Sequence, residues 1–397
     1  MVKNALSKTK KILKIVSIKS ICPLYTSHFP IFKTLILMVK NALSKTKKNL
    51  KIVSINLILC LLILSLVEGL SSIILLFYKI SKVQPISEIR HTQYDELLGW
   101  VNIPNADIPN MYGQGIYFRT NSQSFRNNED FTINIPPNKV RIICSGDSFT
   151  MGWGVSNDQT WCQLLTSINQ RLQTINMGQG GYGIDQAYLW YKRDGTKFDH
   201  NIQIFAFITD DFVRMQRARS FGYGKPLLYL ENGELVNHNF PVPRGSFLVP
   251  KITEGGRYIQ ELRFLNLWQT LFPRKMETDN KYVAQTPAIA IKIFEQLAKI
   301  NQGKNSKLVV VYLPIYSDYY LNESSFWRQY LQAELEKRNI VYIDLIAEFR
   351  KRMPNEQVET AFLGGNGHYS VSGNEFFANL LYEKLLSMPE VAVILQQ

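Results

Sequence analysis

From residue 139 onward, short runs rich in Val and Ile alternate with segments of helical periodicity. The predicted strands are VRIIC (140–144), TIN (174–176), IQIFAFI (202–208), KLVVVYLP (307–314) and IVYIDL (340–345). Helices are predicted over 158–172, 184–194, 286–302, 324–338 and 370–387. Strands this continuously apolar need cover on both faces, and the intervening helices supply it. The pattern therefore predicts an α/β fold, a parallel sheet sandwiched between two helical layers. Ligands of such sheets bind beyond the carboxyl ends of the strands. Hydrophobic residues make up 46% of the chain, enough for a core of that size.

The formal charge of +13 is unevenly placed. Residues 1–51 carry twelve lysines and no acid, and the remainder carries 33 basic against 32 acidic residues. The main body thus lacks the basic footprint of a nucleic-acid binder. Residues 52–78 hold a single charge, Glu68. A helix of that length spans roughly 40 Å, more than the ~30 Å hydrocarbon core of a bilayer. Lys40, Lys45, Lys47, Lys48 and Lys51 precede it, and only Lys79, Lys82 and Arg90 follow closely. The positive-inside rule then puts 1–51 in the cytoplasm as a basic stub and everything after residue 80 outside. No A-x-A cleavage site follows the run, which favours an uncleaved single-pass anchor over a signal peptide. Glu68 within the span is costly unless it finds a partner, as in a contact with another helix.

MVKNALSKTKK occurs at 1–11 and again at 38–48. Nothing between the copies reads as a domain. The simpler reading is a mis-assigned start, with Met38 the working initiator and 1–37 outside the protein. Residues 79–138 form an irregular extracytoplasmic lead-in, in which YFRTNSQSFR (117–126) suggests a strand or hairpin. The main domain, 139–397, is interrupted by an insertion over 213–284, with a hairpin signal at Asn232-Gly233. The insertion is either a lid over the site or a surface excursion. Its aromatics, Phe221, Tyr223 and Tyr229, are expected to pack its own core, and Arg214, Arg217 and Arg219 to form a solvated basic face. Cys22, Cys60, Cys144 and Cys162 show no metal spacing and are expected to be thiols.

Four short stretches carry chemistry. SGDSFTMGWG places Ser148 just past the first strand, where it is either a nucleophile or a helix cap. INMGQGGYG follows the second strand with four glycines, which let a backbone N–H point at an anion. ITDDF ends the third strand with two adjacent acids, Asp210 and Asp211. GGNGHYSVSG presents His368 just before the last helix. Of the five histidines, His28 lies in the stub, His91 in the lead-in, His200 in a helix–strand link and His238 in the insertion. Only His368 has the setting of a base carried by a loop.

Together these blocks resemble the SGNH/GDSL hydrolases over roughly 139–387. The resemblance implies a flavodoxin-like parallel sheet. It implies that Ser148 is the nucleophile, that Gly181 lines the oxyanion hole and that His368 is the base. Asp210 falls where the family has an Asn that donates to the oxyanion, a role an ionised Asp cannot fill. It regains that role only if it is protonated in a partly buried site beside Asp211. The family's Asp, two or three residues before the His, is replaced by Gly365 and Asn366. Asp344, at the end of the last strand, is expected to cap a helix rather than orient the imidazole.

The expected activity is serine ester hydrolysis outside the cytoplasm, on O-acyl (acetyl) groups of envelope carbohydrate, through a Ser-His acyl-enzyme. No metal or organic cofactor is required. An O-acyltransferase using the same site, or a catalytically inactive polysaccharide-binding protein, remains open. The oligomeric state is not encoded in these patterns.

Overall fold

The computed structural model describes residues 30–81, 91–220, 223–243, 263–272, 280–365 and 367–396. The first repeat copy, at 1–11, therefore lies outside the described residues. The chain divides into two units, Met1–Leu75 and Leu76–Gln397. Helix α1 runs over Pro30–Ser81. Within it, Leu50–Phe77, 28 residues, is long and apolar enough to cross a membrane. Leu57, Leu61, Leu64 and Leu66 are each more than half exposed, so the part of the stretch that holds them is not packed as a core helix.

In the second unit, the lead-in forms two small antiparallel pairs. Thr92–Asp95 pairs with Gly99–Asn102, and Asp107–Ile108 with Phe118–Arg119. The strand or hairpin expected over 117–126 is realised only at Phe118–Arg119. The reason is local: the Asn121 side chain accepts the N–H groups of Gln123 (3.0 Å) and Phe125 (2.9 Å), turning the chain where a ladder would need those donors.

The main domain follows in the expected alternation: β1 (Val140–Gly146), α2 (Ser148–Met151), α3 (Trp161–Ile168), β2 (Leu172–Gly178), α4 (Ile184–Arg193), β3 (Ile202–Phe207) and α5 (Thr209–Arg214). After the insertion come α6 (Asn280–Gly303), β4 (Lys307–Tyr312), α7 (Ser325–Glu336), β5 (Val341–Asp344), α8 (Leu345–Arg352), α9 (Val371–Ser387) and α10 (Pro389–Gln396). All five strands are parallel, in the order β2-β1-β3-β4-β5. That is the flavodoxin-like order, which reverses direction at β1.

Strand periodicity distributes the core between two layers. Ile143, Phe205, Phe207, Val310 and Tyr312 pack with α4, α6 and α7. Their neighbours Ile142, Cys144, Ile204, Ala206, Val309 and Val311 pack with α3, α8, α9 and α10. The first layer also takes in Leu98, Trp100, Phe125 and Phe131 of the lead-in. That segment is thus part of the same core.

The expectation of thiols fails for one pair: Cys144 and Cys162 form a disulfide. Cys144 points to the face that α3 covers, and the return of α3 onto β1 brings the two Cα atoms within 6.3 Å. Spacing along the chain does not reveal this, because the pairing depends on which face of β1 each side chain takes. Cys60 is free and exposed.

The Asn232-Gly233 turn is present, with φ of 50° and 82°, joining Leu228–Glu231 to Glu234–Asn237. Both φ values are positive, as a two-residue hairpin turn requires. Tyr223 and Tyr229 pack against the first core layer, and a fully buried Lys225–Asp185 ion pair fastens the insertion to α4. Phe221 lies outside the described residues. In this part the insertion packs on the helical layer and the lead-in rather than on the sheet itself.

Replacing both Cys144 and Cys162 by Ala is expected to lower the unfolding free energy by about 2–4 kcal/mol, the usual effect of opening a short cross-linked loop. Urea denaturation of the two forms measures it.

Candidate active site

β1 ends at Gly146, where a Cβ would overlap the Thr150 hydroxyl and the Ala206 carbonyl; only glycine lets α2 start so close to β3. Asp147 then caps α2, its Oδ1 accepting the Phe149 N–H at 2.9 Å. Ser148 is therefore the first residue of the helix and not its cap. Its hydroxyl is left for other work. Ser148 Oγ lies 2.7 Å from His368 Nε2. The two residues are 220 positions apart and come from opposite ends of the main domain.

The loop that carries His368 is tied on both sides. Leu363 N–H donates to the His368 carbonyl at 2.7 Å, and the Tyr369 hydroxyl donates to the Pro314 carbonyl at 2.6 Å. The imidazole packs against Phe149 (centroids 4.6 Å apart) and Trp153 (5.0 Å). Burial, with the Arg214 guanidinium adding to it, pushes the His368 pKa down to about 4. At neutral pH the ring is uncharged, and in the Nδ1–H tautomer its Nε2 can accept from the serine hydroxyl.

Gly181 sits in the loop after β2 with a φ of 73°, a conformation that side-chain-bearing residues rarely adopt. That loop is bound to its surroundings at three points and once within itself. Gln179 N–H donates to the Gly146 carbonyl (3.1 Å). Gly180 N–H donates to Gln179 Oε1 (2.9 Å), whose amide donates in turn to Asn102 (2.9 Å). Trp100 Nε1–H donates to the Gly180 carbonyl at 2.9 Å. The lead-in thus holds the glycine loop beside the end of β1.

Asp210 and Asp211 separate in role. Asp210, in the first turn of α5, is exposed. Asp211 is buried. The partly buried environment expected for Asp210 belongs instead to its neighbour. Arg214 also departs from expectation. It is not part of a solvated basic face: its guanidinium donates to Asp211 (2.5 Å), Asp147 (3.1 Å) and the Tyr182 carbonyl (3.3 Å). Arg217 and Arg219 are exposed as expected. Burial raises both carboxyls, Asp211 well above its usual range because Asp147 is also near, while Arg214 pulls them back. This buried cluster joins the exits of β1, β2 and β3. Asp344 caps α8 through the Ile346 N–H (2.9 Å) and pairs with Arg328, as its position suggested. Asn366 lies outside the described residues.

The sequence reading missed Arg214, Phe149, Trp153 and the brace that Trp100 and Asn102 give to the glycine loop. The spacing of Asp211 and Arg214, three apart on one helix, was a signal for the first. The others depend on loop geometry that no local pattern carries.

The motif-bearing loops thus meet at one rim, as the SGNH/GDSL resemblance implies. No family model matches the chain, and no curated protein matches its sequence. Among solved structures it is similar to a member of the lipolytic protein G-D-S-L family from Veillonella parvula DSM 2008. The identity is 14%, with 62% of this chain and 97% of that one covered and a TM-score of 0.36. It is also similar to the acetyl xylan esterase AlAXEase (14% identity, 62% and 99% covered, TM-score 0.38). A third is a lipase/acylhydrolase from Enterococcus faecalis (12%, 62% and 95%, TM-score 0.35). At such low identity, what the chain does is read from its own site.

Arg214→Gln strands two buried carboxyls and is expected to destabilise the domain by about 3–5 kcal/mol at neutral pH. Both carboxyls already bind protons more readily in the folded state than in the unfolded one. Acidification neutralises them, so the loss shrinks as pH falls and grows as pH rises. Urea titrations of both forms across the acid range measure it.

Proposed function

We propose that the chain is a membrane-anchored serine ester hydrolase of SGNH/GDSL type. It acts outside the cytoplasm on O-acyl, chiefly acetyl, groups of envelope carbohydrate. The observation that carries the activity is the 2.7 Å contact between Ser148 Oγ and His368 Nε2. A serine hydroxyl is a weak nucleophile until an adjacent base takes its proton, and a neutral imidazole at that distance is such a base.

In this mechanism Ser148 Oγ attacks the ester carbonyl as its proton passes to His368 Nε2. The oxyanion is held by the backbone N–H groups of Ser148 and Gly181. His368 then returns the proton to the departing sugar oxygen, leaving an acyl-enzyme. Water, deprotonated by His368, attacks the acyl carbon, and the acid leaves as Ser148 recovers its proton. Asp210 is exposed and, as an acceptor, suits a substrate hydroxyl better than the oxyanion.

Two features support the location. The apolar stretch Leu50–Phe77 is flanked on its N-terminal side by lysines. The Cys144–Cys162 disulfide is a bond that persists in oxidising compartments and is rare in the cytosol. The carbohydrate substrate follows from that location and from the family resemblance.

The full chain is expected to hydrolyse p-nitrophenyl acetate, and Ser148→Ala to lose at least about a thousandfold in kcat/KM. Because neutral imidazole is the active form, kcat/KM should rise with pH through a midpoint near 4. An unperturbed histidine would place it near 6.5. Activity retained in Ser148→Ala would refute the reading. Adding a sugar acceptor tells hydrolysis, which releases free acetate, from transfer, which acetylates the sugar.

A further inference from the structure

Among the described residues, no Asp or Glu is hydrogen-bonded to His368 Nδ1. What flanks the ring is aromatic. Phe149 lies 4.6 Å away at an interplanar angle of 36°, and Trp153 lies 5.0 Å away at 34°. Each is backed by another ring. Phe149, which is buried, meets the edge of Tyr369 at 4.9 Å, and Trp153 packs on Tyr112 of the lead-in at 5.1 Å. Phe149 and Trp153 belong to the same turn as Ser148. The segment that supplies the hydroxyl therefore also supplies the rings that contact the base.

We propose that Phe149 and Trp153 are positioning residues that hold the His368 ring at Ser148, in the role a carboxylate would otherwise fill. The inference rests on the reading of Ser148 and His368 as nucleophile and base. A carboxylate orients an imidazole by one directional bond at Nδ1 and stabilises its charged form. Flat aromatic neighbours restrict the ring plane by contact and exclude water, which favours the neutral form. The lowered pKa of His368 agrees with this second kind of support. Among the described residues, the charged group that acts on the ring is Arg214 on α5, itself paired with Asp147 and Asp211. Asp318, in a short helix after β4 (Ser317–Tyr320), accepts the Ile315 N–H (2.9 Å). Trp153 is only partly buried, so it can be changed with limited effect on the core.

The test uses the full chain with Trp153→Ala and Trp153→Phe. Two pH profiles are read: kcat/KM for p-nitrophenyl acetate, and the rate of His368 modification by diethyl pyrocarbonate, followed by peptide mass spectrometry. The second needs no turnover and reports the neutral imidazole directly. Trp153→Ala is expected to lower kcat/KM, where the imidazole is neutral, by about ten- to a hundredfold. It should also move both midpoints upward from about 4 toward the ordinary histidine value of about 6.5. Trp153→Phe should restore the midpoint and most of the rate. Trp153→Leu, which keeps bulk without a flat ring, replaces the alanine variant if that one does not fold. Unchanged midpoints and rates in the ring-less variants, or no rescue by Phe in a folded protein, would overturn the proposal. Full hydrolysis by Ser148→Ala would instead remove the hydrolase reading, and the modification profile would still judge the ring contacts.

Discussion

The site depends on where the sheet reverses. In the order β2-β1-β3-β4-β5, connections from β1 run to one side and those from β3 onward to the other. A crevice is left at the carboxyl end of β1, and ligands of such sheets bind there. Ser148 is the second residue after that strand. Glycine at 146 is the condition for it, since any side chain would drive the helix start away from β3. The nucleophile is thus placed by backbone close approach, and the other groups are brought to it.

What brings them is a set of buried polar ties across the loop ends. Arg214 bridges Asp147 after β1, Asp211 after β3 and the Tyr182 carbonyl after β2. The lead-in adds Trp100 and, through Asn102, Gln179. Removing one partner from such a cluster leaves a desolvated charge, so each member enforces the others. The same guanidinium also disfavours protonation of His368, which links the structural brace to the state of the base.

Much of this was legible in the sequence. The five strands and the main helices follow from continuous apolar runs alternating with helical ones, and most appear within a few residues of their expected bounds; α6 begins six residues before the expected 286. His368 was legible from its setting in a loop before the terminal helix, whereas the strand exit left Ser148 open between nucleophile and cap until the family resemblance pointed to the first. The Cys144–Cys162 bond was not, since it depends on the face of β1 that each side chain takes. Neither was the split between Asp210 and Asp211: adjacent acids look alike in sequence and differ only in which one the helix turns inward. Arg214 read as a surface charge because its two acidic partners include one 67 positions away.

The central claim is that the hydroxyl at 148 is activated by the ring at 368. Mass spectrometry of the full chain after exposure to a fluorophosphonate tests it most directly. The account predicts one phosphonyl adduct, on the peptide holding Ser148, absent in Ser148→Ala and formed far more slowly in His368→Ala. An unlabelled Ser148, or equal labelling with and without the histidine, would contradict it.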